Sequence, residues 1–463
     1  MRIERFWASG YRSLKDIDLT FSGPLDVFYG QNGAGKSNLL RAIRITLDLL
    51  SRRMQSTPLC DIRGGLGQRD GGRWVLYDFV RPDDLSRGAP PQIQLGLAIA
   101  LDSHLTLGAG GLVAIDRLEL EVTIGLQSPS VPVCFVSRLR CNDDRQDLGR
   151  WLDDPTKNER PASIPEGCSA NEVLVALRPL VLELLPRKVF AHVPDVRHVE
   201  EGPEEARARD DGDVRAWIHT LLRQGRLEQA LFEAKNTGDA AVRKRYLDLQ
   251  RFLAKHLGRG ELDVVRDPLT GALSLVETGR DGADMRLASE GLGLQQVYVL
   301  FAHLFLSGAR VVAVEEPEAH LHMPTTGRKV RSMLRAVVES RYLDQLLIVT
   351  HDAGFALDRD GFFDVSRSEN GASTVTWTTD LTAIDRNHVD ERGPVVRALI
   401  GVLRDMPEDA AALTRRADGS AVTARAMLDL ILEQDPAADQ YMQQFQEFVV
   451  HLTRARATGG SGG

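Results

Sequence analysis

The sequence predicts an α/β fold: a P-loop head with an antiparallel β subdomain, a helical insertion and a helical C-terminal tail. Three observations carry this. The apolar run Leu25-Asp26-Val27-Phe28-Tyr29 leads into Gly30-Gln31-Asn32-Gly33-Ala34-Gly35-Lys36-Ser37, which fits G-x-x-x-x-G-K-[ST], and helical apolar spacing follows from Asn38 to Leu47. Far downstream, two more apolar runs, Arg310 to Glu316 and Leu346 to Asp352, end in polar groups. Between them, Trp74 to Cys141 is a succession of short β-rich runs separated by Gly, Pro and Asp.

The residue types from 30 to 38 suit a polyphosphate. An anion is best gripped by backbone N–H groups, and only a chain free of Cβ crowding turns several of them toward one point. Gly30, Gly33 and Gly35 supply that freedom, and Gln31, Asn32, Ala34 and Asn38 complete the candidate nucleotide-binding segment. A helix starting near Lys36 adds the partial positive charge of its N-terminus. Lys36 brings a mobile ammonium for β and γ phosphates, and Ser37 a hydroxyl for Mg2+.

Two further strands precede this segment, Ile3 to Gly10 and Ile17 to Phe21, joined by a turn around Ser13-Leu14-Lys15. After the first helix comes a polar, Gly-rich stretch, Asp61 to Arg73, expected as a surface loop, with Gln68 as a metal-contacting glutamine the alternative reading. Strands are expected at 74–80, 93–101, 118–126 and 131–139, forming an antiparallel sheet. Asp143 to Gly167 reads as a loop, Asn171 to Leu185 as a helix, and Lys188 to Val193 as a strand ending at Pro194.

The charged run Glu200 to Asp213 is expected as a solvated loop. Helical periodicity then returns at 214–222, 227–235 and 240–256, a compact insertion too short for long coiled-coil arms. Two strands, 262–266 and 273–277, flank the turn Asp267-Pro268-Leu269-Thr270-Gly271. In the tail, 394–403, 421–433 and 441–453 read as helices, and Gly459 to Gly463 as a flexible linker.

The later motifs offer the second half of a nucleotide site. Glu315 and Glu316 end an apolar strand on opposite sides, so Glu315 is the candidate Mg2+ contact and Glu316 the candidate base for an attacking water. His351, at the tip of the next apolar strand, is placed to reach a γ-phosphate, with Asp352 beside it to fix its tautomer. Ser289, an N-cap, and Gly291 open the helix running from Val297 to Leu306 and make a second anion-binding terminus. One P-loop already saturates its own nucleotide, so that terminus has a use in trans.

Composition limits the partners. The 463 residues carry a net charge of −8, so any nucleic-acid contact requires a local basic patch. Cys60, Cys134, Cys141 and Cys168 form no C-x-x-C pair and are expected as reduced thiols. The charged N-terminus does not resemble a signal peptide, and no run approaches a membrane span, so a cytoplasmic protein without membrane contact is expected.

Jointly, residues 3–14 with Gly30 to Ser37, Ser289-Glu290-Gly291, Glu315-Glu316-Pro317-Glu318-Ala319-His320-Leu321-His322 and Val349-Thr350-His351-Asp352 resemble the ABC-type ATPase heads of the RecF/SMC/OLD group. The short-insert bacterial AAA ATPases found with nucleases in phage defence, such as the Septu and PARIS ATPases, are especially similar. The resemblance implies a head-to-tail homodimer or higher homo-oligomer, each ATP lying between Lys36 of one subunit and Ser289 of the other. It also implies Glu316 as hydrolytic base, His351 as switch histidine, and residues 318–322 as an interface segment. Glu290 stands where transporter heads have glycine, and Glu315 where aspartate is usual; both fit the OLD-like branch. No residue is assigned to the Q-loop glutamine.

The tail lacks the metal-binding pattern of the Toprim nuclease domain of OLD proteins, so a separate effector, nuclease or toxin, is expected. The alternatives are a RecF-like DNA-repair clamp, with Arg41, Arg44, Arg52 and Arg53 as a basic stripe, and a nucleotide-dependent scaffold. The expected division is an N-terminal ATPase lobe with β subdomain (1–195), helical insertion (196–261), C-terminal ATPase lobe (262–383), helical partner-docking tail (384–457) and linker (458–463).

Overall fold

Every residue of Gln345–Thr350 is buried, and alternate side chains enter different cores: Leu346 and Ile348 one, Leu347 and Val349 the other. Val311–Glu315 repeats this, with Val312 and Val314 facing one core and Val311 and Ala313 the other. Strands apolar on both faces belong in the middle layer of an α/β stack, because side chains two apart share a face.

The computed structural model describes residues 1–56, 68–70, 73–75, 92–107, 111–128, 131–142, 144–173, 175, 190–194, 214–278, 284–286, 292–319, 321, 325–357, 361–379, 399–400, 403, 406–407, 411–415 and 421–432. Its strands are β1 (Arg2–Tyr11), β2 (Leu14–Thr20), β3 (Leu25–Tyr29), β4 (Gln68–Asp70), β5 (Arg73–Val75), β6 (Gln92–Leu107), β7 (Gly111–Ser128), β8 (Val131–Cys141) and β9 (Phe190–Val193). Then come β10 (Glu261–Arg266), β11 (Leu273–Thr278), β12 (Asp284–Arg286), β13 (Val311–Glu315), β14 (Gln345–Thr350), β15 (Phe362–Arg367), β16 (Ser373–Thr378), β17 (Ala411–Arg415) and β18 (Ala421–Thr423). The helices are α1 (Lys36–Ser56), α2 (Leu148–Asp153), α3 (Val214–Arg223), α4 (Leu227–Asn236), α5 (Ala240–Leu257), α6 (Leu292–Leu306), α7 (Thr325–Glu339), α8 (Ala353–Leu357) and α9 (Ala424–Leu432).

The central sheet has the order β16-β15-β3-β14-β13-β9. Neighbours from β15 to β9 run parallel, and β16 turns back antiparallel on the edge. Thr350 pairs with Tyr29 and Val349 with Glu315, so the carboxyl ends of β3, β14 and β13 lie level. Ligands of parallel α/β sheets bind beyond such ends. One face carries α3 to α7 and α9; the other carries α1 and a second sheet, β2-β1-β6-β7-β8, antiparallel throughout.

Buried Gln345 links the sheets, accepting from Ile3 N at 2.9 Å and donating to Ile3 O at 3.1 Å. The N-terminal ammonium pairs with Asp344 at 2.7 Å. In the helical insertion, Asp239 caps α5 by accepting from Ala241 N (2.9 Å) and Val242 N (3.2 Å), and Gly258 closes it at φ +68°.

The antiparallel sheet and the insertion helices match expectation, but several elements differ. β6 and β7 extend well beyond 93–101 and 118–126, their pairing continuing as far as Leu107 opposite Gly111. Gln68, expected in a loop, lies on β4, paired with Val75 of β5. Within the expected loop 143–167, Asp147 caps α2, accepting from Arg150 N at 3.0 Å. Helix α6 begins at Leu292, before Val297. In the tail, residues 421–423 of the expected helix 421–433 instead form β18 against β17. Ser289, Gly291, His320, His322, the run 200–213, the helix 441–453 and the linker lie outside the described residues.

Candidate functional site

Strand β3 is buried along its whole length and delivers the chain at Gly30 to the level sheet edge. No side chain fits at Gly30: a Cβ there would lie 2.1 Å from Val365 O of β15. Gly33 and Gly35 have φ of +78° and +107°, a region costly for residues with a Cβ. Helix α1 starts at Lys36, so its first N–H groups face the space beyond the sheet.

Gln31, Asn32 and Gly33 are exposed, whereas Ala34 is buried against the core below. Lys36 is buried and donates from Nζ to Gly30 O at 2.6 Å and Gln31 O at 2.9 Å. Burial lowers its pKa from the ordinary lysine value, against the opposing pull of Glu316, Glu318 and Glu315. The ammonium is held by the Gly30 and Gln31 carbonyls, within electrostatic reach of three carboxylates.

Glu315 ends β13 on the α1 side. Ser37 Oγ donates to Glu315 Oε2 at 3.3 Å, and His192 Nε2 at the end of β9 lies 3.1 Å from Glu315 Oε1. Ser37 and Glu315 offer hard oxygen donors side by side, which suits Mg2+ with remaining positions filled by phosphate and water. Among the described residues, no group of three or more His, Cys, Asp and Glu side chains is arranged to hold a metal by itself.

Glu316 has φ +42°, left-handed backbone in a non-glycine residue, while its N–H donates to Val349 O at 2.7 Å. Such strain costs on the order of 1–3 kcal/mol and is held by surrounding structure. It turns Glu316 off the strand toward β14. His351 Nδ1 stands 3.5 Å from Glu316 Oε1 and 3.4 Å from Glu318 Oε1. Glu316 thus lies between the His351 ring and the charge of buried Lys36.

One expectation is corrected. Asp352 does not orient His351: its carboxylate accepts from Gly354 N at 2.9 Å and faces Arg331 at 3.5 Å. The Glu318 side chain is buried within the chain. Its Oε1 accepts from Thr350 Oγ1 (2.5 Å), His351 N (3.1 Å) and Asp352 N (3.3 Å), tying the turn after β13 to the loop after β14. Burial raises its pKa above the ordinary carboxyl value.

Sequence reasoning missed the supports of the P-loop. Ser373, on β16, donates from Oγ to Ala34 O at 2.7 Å and shares a 2.7 Å hydrogen bond with Ser13 Oγ. Asn38 Nδ2 donates to Ser13 Oγ at 2.9 Å, and Arg12 Nη1 to Asn38 Oδ1 at 3.0 Å. Arg367 Nη1 donates to Gly33 O at 3.3 Å. A signal for the hairpin existed: Asn370-Gly371 sits between β-rich runs, with Gly371 at φ +76°.

Residues 8–68 match a family model described as "AAA domain", and residues 187–358 one described as "AAA domain, putative AbiEii toxin, Type IV TA system". Among solved structures, the chain is similar to the SmcHead bound to the C-winged helix domain of ScpA, at 17% identity and TM-score 0.46, covering 82% of this chain and 98% of that one. The SMC head domain from Thermotoga maritima is 12% identical, with TM-score 0.41 and coverage of 82% and 99%. The Smc head domain with an extended coiled coil, bound to the C-terminal domain of ScpA derived from Pyrococcus furiosus, is 15% identical, with TM-score 0.42 and coverage of 81% and 96%. No curated protein matches the chain. Among the described residues, no helix is long and apolar enough to cross a membrane.

Proposed function

We propose that this chain, an ABC/SMC-like P-loop ATPase head assembled from AAA-domain segments at 8–68 and 187–358, binds and hydrolyses ATP. The observation that supports it best is the convergence of Lys36, Glu315, Glu316 and His351 beyond three level strand ends.

In this reading the N–H groups from Gly33 to Ser37 surround the phosphates, and Lys36 exchanges the Gly30 and Gln31 carbonyls for β and γ oxygens. Gln31, Asn32, Ala34 and Asn38 complete the binding loop. Ser37 and Glu315 hold Mg2+, which when bound neutralises charge developing on the phosphates. Glu316 accepts the proton of the attacking water, and His351 keeps the Glu316 carboxylate and the γ-phosphate in register.

Ser289 and Gly291 cap the nucleotide of a second copy, so that two ATPs join a homodimer. The 384–457 tail docks a separate nuclease or toxin, whose activity the ATP state governs in antiphage defence.

Glu316→Gln tests the core of the reading. Phosphate release should fall about 100-fold or more while ATP binding persists, and the particle mass should double with ATP. A monomer that hydrolyses ATP at the parent rate would overturn it.

A further inference from the structure

Strand β9 pairs in parallel with β13, His192 opposite Ala313 and Val193 opposite Val314. Phe190 and Ala313 enter the core that holds α1, whereas Ala191 and Val193 enter the other. Period two therefore puts His192 and Glu315 on the same face, under the first turn of α1, where Ser37 sits. The resulting chain is short: His192 Nε2 to Glu315 Oε1 at 3.1 Å, then Glu315 Oε2 to Ser37 Oγ at 3.3 Å.

From this juxtaposition we infer that His192 is a positioning residue that holds the Glu315 carboxylate in the orientation that receives a divalent cation. The assignment rests on the ATP-binding reading above.

A carboxylate that binds a cation accepts hydrogen bonds, so the assignment has His192 Nε2 as the donor to Glu315 Oε1. Glu has one more rotatable bond than Asp, and a ligand with that extra freedom loses more entropy on being fixed. His192 removes the freedom in advance: it occupies Oε1 and leaves Oε2 beside the Ser37 hydroxyl. Its side chain is only 17% exposed, so water competes poorly for the bond. Outer partners of this kind typically govern metal affinity by 10–100-fold.

The test uses the full chain, a non-hydrolysable ATP analogue, and calorimetry with and without Mg2+. His192→Ala should weaken the Mg2+-dependent part of analogue affinity by about 10–100-fold, with affinity in EDTA within about twofold of the parent. His192→Gln, whose amide can donate to Glu315, should recover most of the loss. Unchanged Mg2+ dependence in His192→Ala, or equal loss of binding in EDTA, would overturn the assignment. So would a nitrogen coupling in the spectrum of bound Mn2+ that disappears in His192→Ala, since it would make the imidazole a direct ligand. A parent chain that binds no analogue under either condition would remove the ATP reading, and this assignment with it; a parent that binds normally isolates the His192 result.

Discussion

Ser37 Oγ donates to Glu315 Oε2 at 3.3 Å, although 278 residues of chain separate them. The contact exists because β14 pairs with both β3 and β13 and brings their ends level. It joins the start of α1 to the strand that carries the acidic pair.

Glu315→Ala should therefore slow steady-state phosphate release by at least about 100-fold, because a preorganised charge beside the reacting phosphates is removed. Raising Mg2+ concentration should recover part of the rate. A rate indifferent to the substitution would mean that Glu315 serves only packing.

Glycines 33 and 35 should separate sharply. Both have positive φ, but a Cβ at Gly33 meets nothing within 4 Å, whereas one at Gly35 would lie 2.0 Å from Ser373 Oγ and 2.7 Å from Ser13 Oγ. Gly33→Ala should cost about 1–2 kcal/mol of stability, from backbone strain alone. Gly35→Ala should cost more, because it also displaces the Ser373 bond to Ala34 O. Thermal unfolding of the two variants decides the order; equal Tm values would contradict it.

Much of this site is legible in the residues themselves. Strand, glycine loop and helix at 25–47 are local patterns, and the apolar runs with polar ends at 311–315 and 345–350 mark two more buried strands. His192, Ser13 and Ser373 are different. Each acts through a partner 123 to 360 residues away, and no periodicity in one segment encodes which strand will lie beside it. The burial of Glu318 is hidden for a related reason: its partners, Thr350 Oγ1 and the His351 and Asp352 N–H groups, come from the loop after another strand.

Glu318 gives a pH dependence. Burial raises its folded-state pKa above the ordinary value of 4.5, so folding favours the protonated form. The stability it contributes is fully present below pH 4.5 and is lost as pH rises through the raised folded value. Glu318→Gln does not titrate at this position. The Tm of the parent minus that of Glu318→Gln should therefore be greatest at the acid end and fall as pH climbs above 4.5. A difference that stays flat or grows with pH would mean that the Thr350 and backbone donors outweigh burial.

His351 should affect turnover more than uptake. Its ring lies beside Glu316 and Glu318. His351→Ala should lower kcat for ATP about 100-fold with KM within a few-fold of the parent, read from phosphate-release kinetics. A rise in KM with kcat unchanged would make it a binding residue.

The most direct measurement is calorimetric titration of ATP with Mg2+ into the parent chain and into Lys36→Ala. Lys36 already sits 2.6 Å from Gly30 O inside the loop, surrounded by Glu315, Glu316 and Glu318. The parent should take up one ATP per chain with saturable heat, and Lys36→Ala should lose at least tenfold in affinity, about 1.4 kcal/mol. No heat in the parent, or identical isotherms for the two proteins, would contradict a nucleotide site at the ends of β3, β13 and β14.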